Sequence, residues 1–192
     1  MDGPPAPPEH DEEDRLRRRV LWSMPTGLYL IGSRAGTEVN LMTANLVMQV
    51  ATGPRVVAVA VESGSVTRRL IEAGGGFTVS LLHRADRAVV RRFVKPASDI
   101  ARGADGGVTA IQGEPVRLVH DGLPVLAAAA GWLGCRLLRS VDPGEGALPP
   151  AGPTSHVLVL GEVVGAGESP RHPGGPAPEV LRMEDTRMNY GG

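Results

Sequence analysis

Asn40-Leu41-Met42-Thr43-Ala44-Asn45 is a short polar interruption set between strongly apolar runs. Leu28-Tyr29-Leu30-Ile31 precedes it, and Leu46-Val47-Met48-Gln49-Val50 and Val56-Val57-Ala58-Val59-Ala60-Val61 follow. These flanks carry the β-branched and large apolar residues of buried strands. Asn and Thr bring donors and acceptors that an apolar core disfavours. They therefore pair with each other, cap and turn the chain, or face the polar edge of a ligand. Both a turn and a binding edge inside a β-sheet are compatible with this stretch taken alone.

Turn formers at Ala35-Gly36 and Gly53-Pro54 divide the region into strands expected at about 28–33, 39–52 and 55–62. Ser65 to Gly74 reads as a helix with Ser65 as its N-cap, and Phe77 to Leu82 returns to strand. A second helix is expected from Asp86 through Ala88, Val89, Val90, Phe93 and Val94, with Arg91 and Arg92 in its last turn. Residues 95–114 read as a Gly- and Asp-rich loop. Strands are expected over Leu126 to Val141 and Val157 to Val164, joined by the proline-stiffened stretch from Asp142 to Pro153.

Met1 to Asp14 holds Pro-Pro pairs and acids with little to bury, and is expected to be a disordered tail. A short helix follows from about Arg15 through Leu16, Val20 and Leu21, ending near Met24-Pro25. Residues 15–192 are then one domain. Its consecutive strands with two inserted helices favour a mainly β fold, an antiparallel barrel with helical insertions, over a doubly wound sheet.

With 192 residues, the chain is long enough for one sizeable core. Its net charge of −1 supplies no field for nucleic acid. No apolar run approaches the roughly 20 residues of a membrane span, and the N-terminus lacks a signal-peptide pattern, which points to a cytoplasmic protein. The single cysteine, Cys135, agrees with a reducing compartment and reads as a buried thiol. Lys95 is the only lysine, and the bias toward Ala, Gly, Pro and Arg suits a GC-rich bacterial genome.

The strand Val56 to Val61 runs into Glu62-Ser63-Gly64-Ser65-Val66-Thr67-Arg68-Arg69. Ser63, Ser65 and Thr67 beside free helix N-terminal N–H groups can surround one phosphate, or simply cap the helix. Arg92 could reach the same phosphate, or be an arginine favoured by a helix C-terminus. His156, at the entry of a strong strand, could donate a hydrogen bond or pass a proton near neutral pH. His10, His83, His120 and His172 are scattered without metal-ligand spacing, so no metal is expected. No GxGxxG follows a strand, and no Walker A or nucleophile elbow is present.

Taken in order, Met24-Pro25-Thr26-Gly27-Leu28-Tyr29, Asn40-Leu41-Met42-Thr43-Ala44-Asn45, Ser63-Gly64-Ser65-Val66-Thr67, Arg91-Arg92-Phe93, Trp132-Leu133-Gly134-Cys135-Arg136 and Gly161-Glu162-Val163-Val164 resemble the flavin reductase-like family. The C-terminal Tyr190-Gly191-Gly192 looks like the ending of a bacterial branch of it. The resemblance covers roughly residues 20 to 192 and implies the FMN-binding split barrel. It implies that Met42, Thr43, Ala44 and Asn45 lie against the pyrimidine side of a flavin ring. Ser63, Ser65 and Thr67 would hold the FMN phosphate, with Arg92 as counter-ion. It further implies a homodimer, FMN with FAD as the alternative cofactor, and NAD(P)H as co-substrate. Reduced flavin would pass to a monooxygenase or another electron acceptor.

The chain departs from the family's Gly-Asp-His turn. Gly144-Glu145 is separated from His156 by the proline-rich insertion, and Ser155 stands in place of the aspartate. The leading expectation is an NAD(P)H:flavin oxidoreductase in which His156 meets the nicotinamide. The altered histidine corner also suits a flavoredoxin-like electron carrier that does not oxidise NAD(P)H directly. A flavin-free binding barrel is the third reading.

Overall fold

A computed structural model describes residues 9–146, 153–168 and 178–186. Helix α1 (Glu9–Trp22) leads into strands β1 (Tyr29–Ala35), β2 (Glu38–Ala44), β3 (Val47–Thr52) and β4 (Arg55–Glu62). Helix α2 (Val66–Gly74) and β5 (Gly76–Leu81) follow, then two 3₁₀ turns, Arg84–Asp86 and Val89–Phe93. Short strands β6 (Ile100–Arg102), β7 (Val108–Ile111), β8 (Glu114–Val119) and β9 (Leu123–Leu126) precede the long strands β10 (Gly131–Val141) and β11 (His156–Glu168). Met183–Asp185 forms a last 3₁₀ turn.

Seven strands form one antiparallel sheet in the order β2-β1-β5-β10-β11-β4-β3, and β6-β7-β8-β9 form a second sheet. The order carries a geometric consequence. Strands β2 and β3 lie at opposite edges, yet only Asn45 and Leu46 separate them in the chain. Laid flat, the edges would be about 29 Å apart at ~4.8 Å per spacing. Three Cα–Cα steps reach at most about 11 Å. The sheet is therefore rolled until its edges nearly meet, a barrel split at Asn45-Leu46. Leu46 joins the far side at once, its carbonyl accepting from the Ala60 N–H at 2.9 Å.

Period-two side-chain alternation fills the roll. Ile31, Ala44, Val57, Val59, Val61, Phe77, Val79, Val157 and Val159 meet inside it with Ile71 of α2. The opposite faces of β1 and β2 present Leu30, Val39 and Leu41 to Val90, Phe93, Val108, Ile111, Val116 and Leu126. The small sheet thus covers the outer face of the large one. Helix α2 is capped by Ser65, whose hydroxyl accepts from the Arg68 N–H, and ends at Gly75 with φ 76°, a left-handed stop.

Several sequence expectations change. Helix α1 begins at Glu9 rather than about Arg15, so the acidic stretch before Arg15 is helical. Glu13–Arg17 and Asp14–Arg18 pair at i,i+4 along it, support that apolar periodicity cannot report. Residues 1–8 lie outside the described residues. The strand expected over 39–52 is two strands, broken at Asn45-Leu46. The helix expected from Asp86 is a pair of 3₁₀ turns, in which the buried i,i+3 pair Val90 and Phe93 satisfies three residues per turn as well as it would an α-helix. The loop expected over 95–114 contains β6, β7 and the start of β8, strands too short for their alternation to outweigh the surrounding turn residues. Leu126 closes β9, and β10 starts only at Gly131.

Two expectations follow from the packing. A Cβ on Gly161 would sit 2.4 Å from the Phe77 ring and 2.9 Å from the Cys135 Cβ. Gly161→Ala should lower stability by about 1–3 kcal/mol, read as a lower urea midpoint at unchanged m-value. An unmoved midpoint would show that the Phe77 ring has room to shift. Burial pushes the Cys135 thiol from its ordinary 9.0 up to about 12. The unfolded chain then releases this proton first as pH rises, so Cys135 disfavours folding between those two values by up to about 1.4 kcal/mol per pH unit. Urea melts should show Cys135→Ala losing less stability than the parent from pH 9 upward, and parallel losses would contradict the burial account.

Candidate functional site

At the split, the end of β2, the turn into α2 and the start of β11 close around a cavity of about 430 Å³. Met42, Thr43, Ala44, Asn45 and Leu46 form one wall, and Gly64, Ser65, Val66 and Thr67 another. Ala60 and Glu62 of β4, His156 of β11 and the segment Val94-Lys95-Pro96 complete the lining. Val66 and Thr67 are the first two residues of α2, so their N–H groups have no acceptor within the helix. Gly64 has open space where a Cβ would stand.

The buried Asn40 amide ties two walls together. Its Nδ2 donates to Thr67 Oγ1 at 2.9 Å, and its Oδ1 accepts from the Ala97 N–H at 2.9 Å. With one lone pair of Thr67 Oγ1 taken by that bond, the hydroxyl keeps its O–H to donate and a second lone pair to accept. Thr43 reaches the opposite way, its hydroxyl donating to the Val90 carbonyl at 2.7 Å and fastening β2 to the 3₁₀ turn.

The site residues expected from sequence divide into two groups. Met42, Thr43, Ala44, Asn45, Ser65, Thr67 and His156 line the cavity together, and Ser63 and Arg92 do not. Ser63 instead anchors the entry to β11, its hydroxyl donating to the Thr154 carbonyl and its N–H to the Ser155 carbonyl, both at 2.9 Å. The Ser63 carbonyl in turn accepts from Arg68 at 3.0 Å. Arg92 pairs with Glu114 at 3.2 Å and lines a neighbouring hollow. Asn40, Glu62 and Lys95 escaped the sequence reading as site residues. Asn40 was marked only by belonging to the polar notch, while the other two carried no local signal.

The histidine corner keeps a defined geometry despite the insertion. His156 pairs across the sheet with Glu62, and its Nδ1 lies 3.0 Å from Ser155 Oγ, which orients the ring. Asp142 closes the base of the β10–β11 connection, accepting from the Gly144 N–H and the Thr154 hydroxyl, each at 2.8 Å. Those bonds, the Gly144 N–H first, hold its carboxyl below the usual carboxylate range. Residues 147–152 of the insertion lie outside the described residues, as do His172 and the C-terminal Tyr190-Gly191-Gly192. Among the described residues no group of three or more His, Cys, Asp or Glu side chains is placed to hold a metal, and no helix is long and apolar enough to cross a membrane.

Comparison with known proteins supplies the relationship. Residues 21–186 match the family described as flavin reductase like domain. The NADH-dependent FAD reductase of Streptomyces globisporus is 28% identical over 172 residues, which is 88% of this chain and 86% of that protein. The reductase component of Thermus thermophilus 4-hydroxyphenylacetate 3-monooxygenase is 33% identical over 85 residues, 44% of this chain and 57% of that one. The structure of the Streptomyces globisporus NADH:FAD oxidoreductase superposes with a TM-score of 0.68 at 24% identity, covering all of this chain and 95% of that one. The fold is thus the one seen in that oxidoreductase, and with the family match spanning nearly the whole chain, the protein belongs to the flavin reductase-like family.

Proposed function

We propose that the protein is an NAD(P)H:flavin oxidoreductase whose flavin sits in the cavity at the barrel split. The observation that carries this reading is the donor set gathered there. The N–H groups of Val66 and Thr67, the Thr67 hydroxyl and the Lys95 ammonium suit a phosphate at the positive end of a helix. Met42, Ala44, Ala60 and Val66 supply the apolar walls that a flat ring needs. These residues fit a flavin bound through its ribityl phosphate, a group that FMN and FAD share.

Bound there, the flavin would supply the redox chemistry by accepting hydride from the nicotinamide. The chain's own part is positioning. The Asn40 bridge fixes the Thr67 side chain in place, and Thr43 holds β2 on the Val89–Phe93 turn so that the Met42–Asn45 wall stays in place. Ser63 joins the turn before α2 to the entry of the His156 strand, which ties the two ends of the cavity together. With Nδ1 beside Ser155, His156 has Nε2 left to face a nicotinamide amide or to hold a proton.

Relatives named as an NADH-dependent FAD reductase and as a monooxygenase reductase component support nicotinamide as donor and a monooxygenase as recipient of reduced flavin. The reading includes a homodimer. Strand β3 is a sheet edge on which Met48 and Val50 stand exposed, and apolar side chains on an edge strand are what a second copy would cover.

Two substitutions test the assignment. Thr67→Ala should weaken FMN by about 1–3 kcal/mol, the scale of a hydrogen bond to a charged group, and leave riboflavin, which lacks the phosphate, unchanged. Equal weakening of both ligands in fluorescence titrations would remove Thr67 from the phosphate seat. His156→Ala should slow NADH oxidation at saturating flavin while flavin affinity stays near that of the parent. Identical turnover in mutant and parent would make His156 structural and would favour an electron carrier reduced by another protein.

A further inference from the structure

Strand β11 begins before its neighbour β10 can support it. The β10–β11 ladder ends at Val141 and Leu158, so His156 and Val157 run past it and pair on one side only, with Glu62 and Val61 of β4. A tight hairpin turn would fix the free side by setting its own register. Here residues 142–155 connect the strands, and a connection of that length does not define the strand end by itself.

Asp142 supplies the support that β10 does not. It is half-buried and directly follows β10. Its Oδ1 accepts from the Gly144 N–H and the Thr154 hydroxyl at 2.8 Å each, and its carbonyl accepts from the Glu145 N–H at 3.0 Å, which closes the turn. The Thr154 hydroxyl also touches the His156 carbonyl, so its one O–H lies between a carboxylate and the histidine backbone. The next residue, Ser155, has its carbonyl held by the Ser63 N–H, and its hydroxyl stands 3.0 Å from His156 Nδ1. Arg68 of α2, which donates to the Ser63 carbonyl and to Glu72, places its charge beside the Asp142 carboxylate.

We propose that Asp142 is a positioning residue for His156, holding the start of β11, and with it the imidazole, through the Thr154 hydroxyl. The proposal rests on the reading of His156 given above. A carboxylate acceptor makes the Thr154 bond charge-assisted, about twice as strong as one between neutral groups. Neither Asp142 nor Thr154 lines the cavity, so their effect on the reaction passes through the histidine and leaves the phosphate end alone.

NMR of the flavin-free full chain, together with turnover and flavin affinity, tests this. The His156 imidazole signal is identified by its loss in His156→Ala. Asp142→Ala and Thr154→Val should each shift and broaden that signal while the His83 and His120 signals stay, which reports an intact fold. Each should lower kcat for NADH about 3- to 30-fold at saturating flavin, as displacement of a positioned group does, with the flavin Kd within about 2-fold of the parent. The double variant should be no slower than the worse single one, because both remove the same link. Thr154→Ser, which keeps the hydroxyl, should bring both readouts back near the parent. A His156 signal unmoved in both single variants, kcat losses that multiply in the double variant, or shifts spread equally over all three histidines would overturn the proposal. A His156 signal that moves while kcat stays at the parent value in these variants and in His156→Ala would instead overturn the nicotinamide role of His156 on which it rests.

Discussion

The two-residue link Asn45-Leu46 constrains everything else in the molecule. It joins strands at opposite edges of a seven-stranded sheet, and that connection exists only if the sheet is rolled. Rolling places the valine-rich faces of β4 and β11 against Phe77 and Ile71 in a single interior. It also prevents the edges from pairing where the chain crosses between them. The polar groups of the notch are therefore held at an opening in an otherwise closed apolar wall, and a cavity follows from the topology. Covering the outer face of β1 and β2 with the small sheet then stiffens the wall of the opening from behind.

Around that opening, buried side chains act as struts between elements distant in sequence. Asn40 lies 27 positions from Thr67 and 57 from Ala97, and one amide satisfies both. A buried amide with both ends paired is favourable, and either bond lost would leave a polar group stranded in the core. The half-buried Ser63 makes a similar tie between the turn before α2 and the residues leading into β11. Neither residue needs to touch a ligand to matter. They set where the donors of α2 and the imidazole of His156 stand relative to each other, the relation on which the proposed flavin site depends.

Much of this was legible in the sequence because it is local. Strands of Val and Ile, the Ser65 cap, the end of that helix at the glycine run Gly74 to Gly76 and the polar notch all follow from residue types and short-range spacing. The antiparallel, barrel-like class followed from the same signals. The small sheet was not legible, since β6 and β7 have three and four residues and lie among Gly and Asp turn formers. The division of the site residues was equally hidden. Whether the Ser63 hydroxyl faces a phosphate or the Thr154 carbonyl, 91 positions away, is decided by tertiary packing. The same is true of Arg92, whose partner Glu114 belongs to a strand that local sequence reads as the edge of a loop.

On the proposed reading, the split, the helix N-terminus and the histidine strand together hold a flavin where a nicotinamide can reach it. Anaerobic mixing of flavin-loaded protein with NADH in a stopped-flow spectrometer tests this most directly. The account predicts that the yellow absorbance of oxidised flavin bleaches in a single turnover as NADH is consumed in equal amount. Flavin that binds but stays yellow with both NADH and NADPH would contradict it.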